Sequence, residues 1–136
     1  MSFNALPLMV LVFILYNILV VFGGADPNAF LKTDVVPIPL MTSTLMLTWG
    51  DLIIFLTMVM LFVELMKSTY TSTSSLLNHG LSTLVFVICL IEFLMVPQAA
   101  TAVFFFVTVA ALIEVVASYT IGIRVARRDL SLGGEG

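Results

Sequence analysis

Residues 99–123 read AATAVFFFVTVAALIEVVASYTIGI and contain one charged side chain, that of Glu114. A helix needs about 20 apolar residues to cross the hydrocarbon core of a bilayer, which is about 30 Å thick. The stretch is long enough for one complete crossing. It therefore predicts a transmembrane helix that leaves the membrane where the arginines of the following segment begin.

Three more apolar stretches precede this one and predict three further transmembrane helices. They cover residues 76–96, 50–66 and 5–22. The stretch 76–96 stops at Pro97, because proline cannot continue the hydrogen-bond ladder of a helix. The first stretch lacks the basic region of a signal peptide and exceeds the length of its apolar core, so we expect it to be retained. The sequence predicts one transmembrane domain, residues 1–136, with four spans.

The composition supports the same fold class. Of the 136 residues, 61% are hydrophobic and 10% are charged, and the mean hydropathy is +1.21. Soluble proteins carry roughly 25% charged residues, and a small soluble domain needs such a polar surface. The net charge of −3 provides no basic surface for phosphates. We expect an all-α integral membrane protein, and neither a soluble enzyme nor a nucleic-acid-binding protein.

The positive charges predict the orientation in the membrane. Lys67, Arg124, Arg127 and Arg128 fall on the side that four spans would give to both termini, and Lys32 lies on the other side. Because basic loops stay in the cytoplasm, we expect both termini there, in a bacterial inner (plasma) membrane. The three arginines are expected to contact anionic lipids, which is the ordinary role of such a group.

The segment between the first two spans is the only one outside the membrane that is large enough to fold. It includes Pro37 and Pro39, and each proline biases the residue before it toward extended chain. Residues 41–44 could then turn the chain back into residues 45–47. The predicted fold is an antiparallel four-helix transmembrane bundle with a short, hairpin-like outer loop between its first two helices.

Thr48 and Asp51 predict the start of the second span. A threonine at the N-cap with an acidic residue three positions later resembles a capping box, and the negative charge suits the positive end of the helix dipole. Trp49, between them, is typical of a membrane interface. We assign Thr48 and Asp51 the role of helix cap.

Glu64 is predicted near the cytoplasmic end of the second span. A carboxylate inside a span is costly and marks a candidate functional site by default. Glu64 lies three residues before Lys67, which is the spacing for an ion pair across one helical turn. The simplest interpretation is an ordinary interfacial carboxylate that headgroup water reaches or that Lys67 pairs with.

Glu92 and Glu114 lie farther from the predicted helix ends. Glu114 belongs to a stripe of small residues that also includes Ala111, Ser118 and Gly122. Small residues allow the backbones of membrane helices to approach closely. We therefore expect both carboxyl groups to face protein rather than lipid.

No Lys or Arg is predicted in the apolar centre of a span to balance these acids, and three interpretations follow. The carboxyl groups could take up protons and hydrogen-bond Asn17, hydroxyl groups or backbone carbonyls. They could meet a Lys or Arg from the span of a partner protein. They could also bind or relay protons or cations, which would require an oligomer because four helices enclose little water.

The sequence contains no recognisable catalytic set. A single histidine and a single cysteine, His79 and Cys89, cannot form a thiolate metal site or an intrachain disulfide. We expect no enzymatic activity, catalytic residue, metal or cofactor.

The favoured function is therefore a non-enzymatic accessory or assembly subunit, or a self-associating structural component of the membrane. Its intramembrane carboxylates would make helix–helix or partner contacts. The expected partners are membrane lipids and either further copies of the chain or a larger membrane-protein complex. The alternative is a channel or transporter for protons or cations, formed by a homo-oligomer.

Overall fold

The computed structural model describes residues 6–69 and 75–133. In chain order, its elements are α1 (Met9–Phe22), α2 (Pro27–Leu31), β1 (Asp34–Pro39), β2 (Thr44–Thr48), α3 (Trp49–Ser68), α4 (Ser75–Met95), a 3₁₀ turn (Pro97–Ala99) and α5 (Ala102–Gly133). The described chain is mostly helical, and its two strands form one small sheet.

Three of the helices are long and apolar enough to cross a membrane. The qualifying stretches are Trp49–Ser68, Leu77–Met95 and Ala102–Ile121, and they correspond to the last three predicted spans. Helix α1 has 14 residues, which at 1.5 Å per residue is about 21 Å and shorter than a hydrocarbon core of about 30 Å. The prediction of a first span over residues 5–22 is therefore not confirmed at that length, and residue 5 lies outside the described part.

Helix α5 differs from its predicted bounds at both ends. It begins three residues late because Pro97–Ala99 form the 3₁₀ turn and because Thr101 Oγ1 accepts a hydrogen bond from Phe104 N at 3.1 Å. It continues past residue 123 to Gly133. The arginine, alanine and leucine residues of that continuation are strong helix formers, so the end of the apolar stretch does not end the helix.

The predicted hairpin is present. Strands β1 and β2 pair antiparallel, with Val36 opposite Leu47 and Ile38 opposite Leu45. The turn is closed by Leu40 N, which donates to Ser43 O at 2.8 Å.

Helix α2 is an element that the sequence analysis did not predict. The Asp26 side chain accepts hydrogen bonds from Asn28 N and Ala29 N, at 3.0 and 3.3 Å, and Pro27 occupies the first helical position. An aspartate cap followed by proline is a known signal for a helix start, so α2 was detectable from Asp26 and Pro27.

The start of α3 has the capping box that the sequence predicts. Thr48 Oγ1 accepts from Asp51 N at 3.1 Å, and Asp51 Oδ2 accepts from Thr48 N at 3.0 Å. Trp49 stacks on Phe30 with 5.7 Å between the ring centroids. The cap and the stacked rings together fix α2 and the hairpin against the beginning of α3.

The long helices pack around a shared core. Helix α5 packs against both α3 and α4, and α1 packs against all three. Helices α4 and α5 run antiparallel, since Ser82 meets Glu114 near one end and Phe93 meets Phe105 near the other. The core between the helices is filled by buried residues from all four: Met9, Val12, Tyr16, Val20, Ile53, Cys89, Phe104, Val107 and Ala111.

Gly50 allows α3 to approach its neighbours closely, and its replacement by alanine should be destabilising. A Cβ atom there would lie 2.8 Å from Val103 Cγ2 and 3.1 Å from Leu31 O. Because overpacking typically costs 1–3 kcal/mol, we expect Gly50→Ala to lower the free energy of unfolding by about 1 kcal/mol. Gly80→Ala is the matched control, since no atom lies within 4 Å of its added Cβ, and we expect it to stabilise α4 by about 0.5 kcal/mol. Reversible unfolding in detergent measures both, and equal effects would contradict the close approach at Gly50.

Candidate functional site

Polar side chains lie between the packed helices in two groups. The first, called the Glu64–Glu114 cluster, consists of Glu64, Lys67, Ser82 and Glu114. The second, called the Tyr16–Glu92 cluster, consists of Tyr16, Asn17, Glu92 and Thr101. Together they contain all four residues predicted as intramembrane contacts: Asn17, Glu64, Glu92 and Glu114.

Glu64 caps a helix other than its own. Its side chain is 1% exposed, and Oε1 accepts a hydrogen bond from Leu8 N at 2.7 Å. Leu8 is the N-cap residue of α1, whose own side chain supplies no cap. The first N–H groups of a helix have no partner within it and carry partial positive charge. The Glu64 carboxylate therefore stabilises the beginning of α1 from α3.

Lys67 provides the counter-charge of Glu64. Its Nζ lies 3.0 Å from Glu64 Oε1 and donates a second hydrogen bond to Leu6 O at 3.2 Å. The ion pair that the spacing predicts is thus present, but the carboxylate is enclosed by protein rather than open to water. The lysine is 19% exposed, so it keeps its ammonium group near the rim while neutralising a buried acid.

Glu114 joins α5 to the same cluster. Its side chain is 1% exposed, and its Oε1 accepts a hydrogen bond from Ser82 Oγ at 2.9 Å. The carboxyl groups of Glu64 and Glu114 interact with each other, and Lys67 acts electrostatically on Glu114 as well. The apolar centres of the helices carry no Lys or Arg, as the sequence predicts, but Lys67 reaches back from the last turn of α3 to act on both acids of this cluster.

The charge balance of the Glu64–Glu114 cluster limits what it can do chemically. Lys67 neutralises one negative charge, while two carboxyl groups are buried beside it. Two ionised carboxylates at close range repel each other, and the ammonium group of Lys67 offsets part of that repulsion. The cluster can thus hold the helices together through hydrogen bonds and an ion pair.

The Tyr16–Glu92 cluster is built on the start of α5. Tyr16 is 1% exposed, and its hydroxyl donates to Gln98 O at 2.8 Å. The same hydroxyl lies 2.7 Å from Thr101 Oγ1, which also accepts from Phe104 N. One tyrosine therefore connects α1 both to the 3₁₀ turn and to the cap of α5.

Replacing Thr101 by valine should remove the cap of α5 and one of the two hydrogen-bond contacts of the Tyr16 hydroxyl, which keeps its bond to Gln98 O. We expect a loss of about 1–2 kcal/mol in the free energy of unfolding, since a lost N-cap costs this much. The matched control is Thr120→Val, because the Thr120 hydroxyl is exposed and only donates to Val116 O within its own helix. Unfolding of the two variants in the same detergent measures the difference, and a stable Thr101→Val protein would contradict this role.

The hydrogen bond between Asn17 and Glu92 is weak. Asn17 Nδ2 donates to Phe13 O at 2.9 Å and lies 3.4 Å from Glu92 Oε2. Hydrogen bonds of this type are centred near 2.9–3.0 Å, so the second contact is long. Glu92 is only part-buried. The structure places Glu92 beside Asn17, whereas Glu114 is bonded to Ser82 in the other cluster.

The other predicted residues have distinct surroundings. Ala111 and Ser118 are buried beside Glu114, whereas the surroundings of Gly122 lie outside what the structure describes. Arg124, Arg127 and Arg128 are exposed on the last part of α5.

Two further polar residues are buried near the beginning of α4: His79, and Asn78, which the sequence analysis did not single out. They are 7% and 8% exposed, and the His79 ring stacks on Tyr119 with 4.3 Å between centroids. Among the residues that the structure describes, none is a hydrogen-bond partner of His79 Nδ1 or Asn78 Oδ1. Within residues 6–69 and 75–133, no group of three or more His, Cys, Asp or Glu side chains could hold a metal ion.

Comparison with known proteins adds no relative from which a function could be transferred. The sequence matches no protein-family model, and no curated protein or solved structure matches it.

Proposed function

We propose that α1, α3, α4 and α5 form an antiparallel four-helix transmembrane bundle. Three of these helices have the length and apolar character for a crossing, and α1 packs against each of them. The contacts of Leu6 and Leu8 with Lys67 and Glu64 bring the beginning of α1 level with the end of α3. The distribution of basic residues favours cytoplasmic termini, an outer hairpin and a bacterial inner membrane.

Within that bundle, the protein acts as a non-enzymatic structural component of the membrane, as a self-associating unit or an accessory subunit. The observation that carries this proposal is the use made of the buried acids. Glu64 and Glu114 are each 1% exposed, and their contacts connect α1, α3, α4 and α5. Polar groups that are satisfied inside a membrane protein join helices where no hydrophobic force between them is available.

The same geometry speaks against a role of these two acids in binding a partner's Lys or Arg. Their carboxyl groups face the interior of the chain's own bundle, so no cation from outside could approach without separating the helices. Partner contacts would instead use the outer helix faces, where large apolar side chains are exposed: Phe55, Phe62, Leu94, Val116 and others. Lipids or other spans can cover such faces, and the exposed arginines of α5 suit anionic lipid headgroups.

Proton or cation conduction is the second candidate, and the adjacent carboxyl groups of Glu64 and Glu114 favour it. A conducting path would also need the Tyr16–Glu92 cluster. Buried Cys89, Val107 and Ala111 belong to the apolar core, and Cys89 lies within electrostatic range of both Glu92 and Glu114. Apolar side chains in this part of the core favour the structural role over conduction.

Native mass spectrometry of the protein extracted gently from its own membrane tests the proposed assembly. We expect a species whose mass is a multiple of 14.8 kDa, or a stoichiometric complex with a foreign membrane subunit. A homogeneous monomer with no bound protein would contradict both forms of the proposal.

Glu→Gln variants at positions 92 and 114 distinguish the roles that the acids could have. A packing role predicts that both variants assemble normally, because a neutral amide can still hydrogen-bond. A conducting role predicts loss of flux with intact assembly. Ion pairing with a partner predicts loss of assembly.

A further inference from the structure

The two outer edges of the hairpin differ in their capacity for hydrogen bonding. Pro37 lies opposite Met46, and Pro39 lies opposite Thr44. Opposite residues in an antiparallel pair alternate between hydrogen-bonded and non-hydrogen-bonded. Proline has no N–H, so neither proline can belong to a hydrogen-bonded pair. The hydrogen-bonded pairs are therefore Val36–Leu47 and Ile38–Leu45. The bond from Leu40 N to Ser43 O continues the same alternation.

It follows that the backbone groups of Pro37, Pro39, Thr44 and Met46 point away from the hairpin. The outer edge of β1 thus presents the carbonyl groups of Pro37 and Pro39 but no N–H group at either position. The outer edge of β2 presents both N–H and C=O groups of Thr44 and Met46, and these have no hydrogen-bond partner in the described part of the chain. Proline on an edge prevents another strand from pairing there, so β1 is blocked while β2 is open.

The side chains of β2 leave the edge accessible to another strand. Leu45 and Met46 are 45% and 43% exposed, and residues 35–50 include no charged residue. Exposed edge strands usually carry charges, prolines or bulges that prevent pairing with another chain. Strand β2 has five residues, with no charge and no proline among them, so nothing in its side chains prevents another strand from pairing with its edge.

The sequence of β2 favours a second copy of the same strand as its partner. The strand reads Thr44-Leu45-Met46-Leu47-Thr48, which is the same in both directions. Antiparallel pairing about Met46 would place each Leu45 opposite Leu47 of the second copy, and each Thr44 opposite its Thr48. Copies inserted into a membrane in the same orientation can be related by a two-fold axis along the membrane normal, and a two-fold contact of this kind is self-complementary.

We propose that β2 pairs antiparallel with β2 of a second copy, centred on Met46, so that two hairpins form one four-stranded sheet. The inference rests on the self-association proposed above and specifies its interface. Met46 N–H and C=O exchange two hydrogen bonds with the same groups of the second copy. Thr48 N already donates to Asp51 Oδ2, so the reciprocal bonding is strongest at the centre of the strand.

Disulfide cross-linking in native membranes tests this register. Met46→Cys is made in a Cys89→Ser chain, which removes the single natural thiol, and is compared with Thr44→Cys in the same background. Across a hydrogen-bonded pair the Cα atoms are about 5.5 Å apart, within the range for a disulfide. Two copies of residue 44 would be four positions out of register, about 14 Å apart at 3.4 Å per residue. Both side chains lie on the same face of an exposed strand, so Thr44→Cys is a close control.

After mild oxidation we expect Met46→Cys to form a disulfide-linked dimer as the main product, with at least tenfold less dimer from Thr44→Cys. Equal cross-linking at the two positions, or none at Met46, would overturn the proposed pairing. A cross-link from Met46→Cys to a foreign chain would also overturn it and identify a heterologous strand instead. If native mass spectrometry shows a homo-oligomer while Met46→Cys does not cross-link, self-association stands and only this interface fails.

Discussion

Lys67→Met is expected to lower the free energy of unfolding by about 2–3 kcal/mol. The substitution keeps an unbranched side chain but leaves Glu64 and Glu114, both 1% exposed, without their counter-charge. Removing one partner of a fully buried ion pair costs 3–5 kcal/mol because the other charge stays buried. The lysine is 19% exposed, so solvent screens part of its charge and we expect about 2–3 kcal/mol rather than the full cost.

Reversible unfolding in a lipid–detergent mixture, followed by the fluorescence of the single tryptophan Trp49, measures this change. The matched control is Lys32→Met, since Lys32 is exposed and takes part in no ion pair within the described chain. We expect that variant to remain within about 0.5 kcal/mol of the wild type. Adding Glu64→Gln to Lys67→Met should recover part of the loss, because one buried charge then disappears. Similar stability of Lys67→Met and Lys32→Met would contradict the balancing role of Lys67.

Glu114→Ala should be the second most destabilising change, with a loss of about 2–3 kcal/mol. The truncation leaves the buried Ser82 hydroxyl without its acceptor, Glu114 Oε1, to which it donates at 2.9 Å. It also leaves a cavity between α4 and α5. An unsatisfied buried polar group costs about 1–3 kcal/mol, and the cavity adds to that cost. Glu114→Gln retains an acceptor for Ser82, and we expect it to lose less than about 1 kcal/mol.

The order of three variants provides the check on Glu114. Glu92→Ala removes a part-buried carboxyl group whose contact with Asn17 is 3.4 Å long, so its effect should be smaller than that of Glu114→Ala. We expect the stability order Glu114→Gln, then Glu92→Ala, then Glu114→Ala, measured by the same unfolding transition. If Glu114→Ala is as stable as Glu114→Gln, the hydrogen bond to Ser82 does not hold the helices together.

The local elements of the fold were predictable because each has a short-range signal. The capping box follows from Thr48 and Asp51, which are neighbours in sequence as well as in space. The hairpin follows from the two prolines and the turn between the strands. The length of α5 was not predictable in the same way, because the end of an apolar stretch marks the end of hydrophobic burial and not the end of helical propensity.

The candidate site was predictable only residue by residue. The choice of Asn17, Glu64, Glu92 and Glu114 as candidate residues followed from their place in apolar stretches, and the structure buries Glu64 and Glu114 fully but Asn17 and Glu92 only in part. Which of them meet did not follow, because the contact of Glu64 with Leu8 spans 56 positions of the sequence. Such pairings depend on how the helices are arranged around one another, and hydropathy carries no information on that arrangement.

Proton flux into liposomes decides whether the buried carboxyl groups hold helices together or carry protons. The full chain is reconstituted, a pH gradient is imposed, and the internal pH is followed with an entrapped dye. We predict that wild-type protein gives the same rate as protein-free liposomes, and that Glu114→Gln changes nothing. A faster rate with the wild type that Glu114→Gln abolishes, while the variant keeps its fold and assembly, would contradict the structural role.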